Sequence, residues 1–218
     1  MAKKPLTVAD LQAEAAAFAR QESTHAEPQL FGVTDGKAVG TYVEHKFQAY
    51  LLLRYMFAEC NSASGIDFPS LDVDMKVTSI TQPQSSCPFK SGRQKVFGLG
   101  YSLLVFVYEK RDDPATKTGT LNFLHVVFVE APLTADFQMT TGLRQIVQNN
   151  GNEDDLIAFL TDKNLPIDSI EAKKIAQDVL KSPPEVGYLT ISNALQWRLQ
   201  YSRVIAQAGL VAGVIKVR

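Results

Sequence analysis

The spacing of apolar positions changes twice along the chain, dividing it into a helical beginning, a strand-rich middle and a helical end. Residues 7–22 are strong helix formers, and the opening Thr7-Val8-Ala9-Asp10 suits a helix cap. After a turn-rich stretch from Phe31 to Gly40, Val43, Phe47, Leu51 and Tyr55 recur every four residues. That period predicts an amphipathic helix over 41–59, with Glu44, Gln48 and Glu59 off its apolar stripe. Residues 71–79 alternate instead, Asp72, Asp74 and Lys76 against Val73, Met75 and Val77, which predicts a strand with one wet and one dry face. Residues 101–109 and 121–130 are apolar runs rich in Val and Phe, as in strands covered on both faces, and the polar stretch 111–120 reads as a hairpin tip between them. Helical spacing returns over 140–150, 153–162 and 170–181, and a last helix is predicted from 192 to about 208. The fold expected is α/β: a central mixed β-sheet flanked by α-helices, with a small helical C-terminal lobe. We expect one domain, with a helical part over 1–60, a sheet core over 61–135 and a helical part over 136–218.

Composition narrows the class of protein. With 218 residues, of which 45% are hydrophobic, the chain can build a core without staples, and its 2 cysteines offer no disulfide framework. No apolar run approaches the ~20 residues that span a bilayer, and the opening segment lacks a secretory core, so no membrane association and a cytoplasmic location are expected. Lys plus Arg number 22 against 23 Asp plus Glu, which argues against a protein that coats nucleic acid non-specifically. A nuclease remains compatible, because carboxylates gathered at a metal are balanced by a local basic wall. The three histidines have no zinc spacing, and there is no nucleophile elbow and no complete phosphate-binding loop.

The segment from Gly65 to Lys76 is the richest in chemistry. On a strand, positions i, i+2 and i+4 face one way, so Asp72, Asp74 and Lys76 would share a surface, and Asp67 lies just across a Pro-containing turn that could return a third carboxylate to them. Mg²⁺ takes oxygen ligands and keeps several waters, so one or two carboxylates with a backbone carbonyl and a substrate phosphate suffice. A lysine beside them could orient the attacking water and stabilise charge building on phosphorus. An acid two residues before a lysine is common: it recurs here as Asp35-Gly36-Lys37, Glu44-His45-Lys46 and Glu171-Ala172-Lys173. Only the Asp74 copy sits on a strand among further acids, and the Glu44 and Glu171 copies fall on helices, where i and i+2 diverge.

In this order of features the chain resembles the PD-(D/E)XK nuclease superfamily, and within it the type II restriction endonucleases. Glu44 on a helix, Asp67 at a turn, Asp74-Met75-Lys76 on a strand and then further strands follow the pattern of that family over roughly residues 40–130. The resemblance implies a restriction-endonuclease-like core and Mg²⁺-dependent, site-specific hydrolysis of double-stranded DNA by a homodimer. It also implies Asp67 and Asp74 as metal carboxylates, Lys76 as the catalytic lysine and Glu44 as an accessory acid. Ile66 rather than Pro precedes Asp67, and the spacing to Asp74 is short, so Asp72 stands as the alternative first carboxylate. A repair nuclease on the same core, and a non-catalytic binding protein whose acidic strand makes only ion pairs, are the rival readings.

Residues for holding DNA are expected in three places. Gln82 and Gln84 lie in a polar stretch that could approach a DNA backbone, and Arg93, Gln94 and Lys95 close the densest cationic stretch of the chain. On the predicted last helix Gln196, Gln200 and Arg203 form a face that could read base edges, since Gln pairs with adenine and Arg with guanine.

Overall fold

The computed structural model describes residues 3–58, 65–87, 90–192 and 197–218. Along the chain run β1 (Lys4–Pro5), α1 (Val8–Glu22), α2 (Gly36–Leu52), β2 (Tyr55–Met56), β3 (Val73–Ser79), β4 (Gln84–Cys87), α3 (Arg93–Phe97), β5 (Ser102–Asp113) and β6 (Thr118–Val129). There follow α4 (Phe137–Gln148), α5 (Glu153–Asp162), α6 (Ser169–Lys181), β7 (Thr190–Ile191), β8 (Trp197–Gln200), α7 (Ser202–Gln207) and β9 (Val214–Lys216). They form two compact units, one of residues 1–83, 103–129 and 207–218, the other of 84–102 and 130–206. None of the described helices is long and apolar enough to cross a membrane.

The first unit is built on a four-stranded sheet in the order β3-β5-β6-β9, with α1 and α2 packed on one face. The predicted apolar runs become the long antiparallel hairpin β5–β6, whose strands extend well into the polar stretch and turn at residues 114–117. Alternate residues of β5 meet the helices: Phe106 lies 5.4 Å from Phe47 of α2 and 5.5 Å from Phe123 of β6, and Phe18 of α1 stands 5.0 Å from Phe47. The other face, Leu103, Val105, Val107, Val127 and Val129, is fully buried as well, as the apolar runs predicted. Thr7 caps α1 through its hydroxyl, which accepts the Asp10 N–H at 3.1 Å, a bond of the kind worth about 1 kcal/mol. Buried Glu22 ties α1 to α2 by accepting from the Tyr42 hydroxyl at 2.9 Å and the Lys46 ammonium at 2.8 Å. That tie sets the roll of the helix bearing Glu44. Gly119 is required by close packing, since a Cβ there would come within 2.9 Å of the Leu30 backbone where the β5–β6 hairpin bridges to Glu27.

Two helix predictions need correction here and in the second unit. The stripe Val43, Phe47, Leu51 and Tyr55 is buried throughout, but α2 starts earlier and ends at Leu52; Tyr55 belongs to β2, which pairs in parallel with β1. Among the described residues the predicted helix 192–208 is not continuous: Trp197–Gln200 is a strand, antiparallel to both β4 and β7, and Ser202–Gln207 is helical. Residues 193–196 lie outside the described part of the chain.

The second unit joins the three-stranded sheet β4-β8-β7 to α3, α4, α5 and α6, whose core includes Val96, Met139, Leu143, Leu156, Leu160, Ile175 and Val179. Asp136 is its polar keystone. One carboxylate oxygen accepts the Met139 N–H at 2.8 Å and caps α4, the other accepts the Ile191 N–H at 2.8 Å, and the group is buried. Asp136→Ala is expected to destabilise the protein by about 3 kcal/mol, because two buried amides lose a charged acceptor at once. Urea denaturation reads this, and a loss below about 1 kcal/mol would mean that water replaces the carboxylate.

Candidate active site

Asp67 is brought to β3 by a tight reversal. Phe68 and Val73 bridge, with N–H to O distances of 2.9 and 3.3 Å, and a turn of 3-10 helix over Pro69–Leu71 fills the six-residue gap. Asp72 ends this turn in the left-handed conformation, φ 52°, which an Asp adopts more readily than most residues. The reversal aims Asp67 back along the strand, where its carboxylate accepts the Met75 N–H at 2.7 Å. The short spacing between Asp67 and Asp74 therefore suits the geometry.

The two carboxyl groups meet. Asp67 is 9% exposed and Asp74 3%, and their side chains share a hydrogen bond. Burial, followed by the proximity of Asp67, overcomes the pull of Lys76 and pushes the Asp74 carboxyl up to about 7. Burial also raises the Asp67 carboxyl, and the negative charge of Glu44 adds to the effect, which places Glu44 within electrostatic reach of the pair. The Lys76 ammonium lies 2.6 Å from Asp74, with 20% of its side chain exposed. The wet strand face expected at Asp74 is thus a covered one: the returning Asp67 turn supplies its neighbour, and only Lys76 reaches solvent. Asp72 does not share that face, being exposed and outside the strand.

Two buried carboxyl groups side by side offer oxygen donors of the kind a divalent cation takes. The donor set is two carboxylates, oxygen ligands of the kind that Mg²⁺ accepts while keeping waters. No group of three or more His, Cys, Asp or Glu side chains is gathered for a metal among the described residues, so the remaining ligands would be carbonyls, water and substrate. The residues present fit such an ion. The sequence offers no sign that the Met75 amide orients Asp67, because this role belongs to the backbone.

The DNA-contact candidates are dispersed. Gln82 is exposed in the turn after β3; Gln84 and Gln200 stand opposite each other on β4 and β8, with Gln200 exposed. Arg93 pairs with Asp178 at 2.7 Å and Glu171 at 3.7 Å and lies over the Phe97 ring. The Gln94 amide donates to the Leu99 carbonyl at 3.0 Å, and Lys95 is 6% exposed. Arg203 stacks on Phe137 with 3.6 Å to the ring centroid, and its buried Nε has no hydrogen-bond partner. The base-reading face predicted for Gln196, Gln200 and Arg203 rested on one continuous helix; Gln200 is on a strand and Arg203 on a separate helix, and Gln196 lies outside the described residues.

No solved structure matches the chain significantly. The chain is 63% identical over 212 residues to the type II restriction enzyme NspV of Nostoc sp. (strain ATCC 29411 / PCC 7524), a match covering 97% of this chain and 96% of that protein. The family model described as type II restriction enzyme NspV matches residues 5–216, and the chain belongs to that family.

Proposed function

We propose that the protein is a Mg²⁺-dependent, site-specific endonuclease that hydrolyses phosphodiester bonds of double-stranded DNA, acting in the cytoplasm as a homodimer. Membership of a type II restriction enzyme family supports the substrate and the reaction class. One observation carries the catalytic assignment: two buried carboxyls, Asp67 and Asp74, share a hydrogen bond beside an ammonium 2.6 Å from Asp74. A cation held by the pair supplies neutralisation of charge at the scissile phosphate. Asp67, held by the Met75 amide, and Asp74, on the rigid strand, fix the position of that charge to the precision of the backbone. Lys76 donates toward the attacking water and the phosphate oxygens, and Glu44, half-buried on α2, is the accessory acid. Two-fold symmetry of a dimer matches the symmetry of a palindromic site cut on both strands.

Incubation with unmethylated phage DNA in Mg²⁺, with EDTA as control, tests the reading on a gel. Discrete fragments that vanish with EDTA are expected. A smear would replace site specificity with general nuclease action, and intact DNA across Mg²⁺, Mn²⁺ and several substrates would overturn the assignment.

A further inference from the structure

The sheet β4-β8-β7 of the second unit has one dry face and one wet face. Cys87, Trp197, Leu199 and Ile191 are buried on the dry side. In the register of β4 with β8, Ser86 stands opposite Arg198 and Gln84 opposite Gln200, so these four alternate with the buried set and share the wet side. Ser86, Arg198 and Gln200 are exposed, and Gln84 is half-buried. Gln84 and Gln200, expected as DNA contacts from separate stretches of the chain, thus meet as a cross-strand pair.

Charge sets this face apart. β4, β7 and β8 contain no Asp or Glu, and the one cation among them is Arg198. Exposed cations on the β5–β6 hairpin are matched in place, Arg111 by Glu109 at 2.6 Å and Lys110 by Asp112. Among the described residues, neither the Arg198 guanidinium nor the Gln200 amide makes a hydrogen bond or an ion pair. Arg203 lies at the β7 edge of the same sheet. Its guanidinium stands 3.6 Å from the centroid of the Phe137 ring, and the Phe137 N–H donates at 2.9 Å to the carbonyl of Leu189, the residue before β7. The Arg203 Nε is buried without a hydrogen-bond partner, and among the described residues no acid pairs with the side chain. Stacking fixes the plane of the fork and leaves the terminal nitrogens to donate.

A strand of four residues is about 13 Å long and lies about 4.8 Å from its neighbour, dimensions of a ribbon that a DNA major groove about 12 Å wide admits. We propose that the wet face of the β4–β8 ribbon, with Arg203 at its flank, is the surface by which the second unit reads base edges of DNA. Gln200 takes an adenine edge, because an amide both donates and accepts; Arg203, held in plane, takes a guanine edge with two parallel bonds; Arg198, exposed on β8, holds a phosphate. The choice of DNA as partner rests on the endonuclease reading, to which this surface adds the residues that select the site.

Wild type, Gln200→Ala, Arg198→Gln, Arg203→Lys and a control, Lys174→Gln, exposed on α6, are compared in EDTA. Each selects bound duplexes from a random-sequence pool for sequencing, and its affinity for the wild-type selected duplex and for an unrelated duplex is measured over a salt series. Unchanged melting temperatures check that the variants fold. Gln200→Ala and Arg203→Lys are expected to weaken binding to the selected duplex about tenfold or more, each losing preference at one base pair, with the unrelated duplex unaffected. Arg203→Lys keeps the charge, so it separates a guanine contact from a phosphate contact. Arg198→Gln lowers the slope of log K against log salt by about 0.9 on both duplexes, and Lys174→Gln changes nothing. Variants that select the wild-type sequence with wild-type affinity would overturn the proposal. Equal losses on both duplexes from all three would overturn it too, because they mark a surface that holds the backbone without reading bases. A wild type that binds no duplex in EDTA and cleaves none in Mg²⁺ would overturn the endonuclease reading and this surface with it, a result distinct from variants that still select the site.

Discussion

Asp74→Asn is expected to abolish DNA cleavage, by about 10³-fold or more, and yet to make the metal-free protein more stable above neutral pH. The first effect follows from removing half of the carboxylate pair: losing about 4 kcal/mol of transition-state charge stabilisation costs about three decades in rate. The second follows from the sign of the proton linkage. In the folded chain the Asp74 carboxyl titrates at about 7, against a reference value of 3.8. A raised carboxyl contributes stability that is full below 3.8 and lost as pH climbs through 7, because the fold must then hold a buried charge beside Asp67. The loss amounts to roughly 4 kcal/mol at most over that window, and Asn removes it. Metal-free thermal unfolding at pH 5 and pH 8 should show a wild type that weakens with pH and a variant that stays closer to level. Mg²⁺ should raise the melting temperature of the wild type at pH 8 and leave the variant unmoved. Retained cleavage in Asp74→Asn would remove this residue from the chemistry, and a pH-independent wild type would mean that water already solvates the pair. A residue that costs stability and is needed for activity is the trade expected of a catalytic site.

How much of this was readable beforehand depended on element length. The apolar runs of β5 and β6 and the stripe of Val43, Phe47 and Leu51 are long enough to have one interpretation, and the hairpin and α2 follow from them. The order of Glu44, Asp67, Asp74 and Lys76 was equally legible, since it needs only a helix, a turn and a strand in sequence. Short elements were not. Over Trp197–Gln200 the buried residues are Trp197 and Leu199 and the exposed ones Arg198 and Gln200, a period of two lasting only four residues. Tyr201 and Val204, also buried, extend the same apolar positions at a helical spacing, so the pattern reads as one helix when it is a strand followed by a turn of helix. The partner of Arg93 was hidden for another reason: a basic stretch shows no partner in sequence, while Asp178 is 85 residues away. Contacts of that range follow from packing, which pattern alone does not contain.

The same limit applies to Asp72, which the alternation of the strand placed beside Asp74, and it leads to the second large effect. Asp67→Asn is expected to reduce cleavage by about 10³-fold, and Asp72→Asn by less than about threefold. Asp67 is buried, bonded to the Met75 amide and to Asp74, so its charge faces the place where a cation fits. Asp72 is exposed at φ 52°, ahead of the strand, with its backbone N–H bonded to the Pro69 carbonyl to close the turn. Asn tolerates that left-handed backbone as well as Asp does, so Asp72→Asn leaves the turn intact and tests the charge alone. Asp67→Asn keeps the volume and an oxygen for the Met75 amide, so a folded protein is expected there too, with far-ultraviolet circular dichroism as the check. Single-turnover cleavage rates in Mg²⁺ separate the two. If Asp72→Asn were the inactive one, the turn would have to open for the exposed carboxylate to reach Asp74, and the pairing of Phe68 with Val73 would be a resting arrangement that DNA or metal undoes.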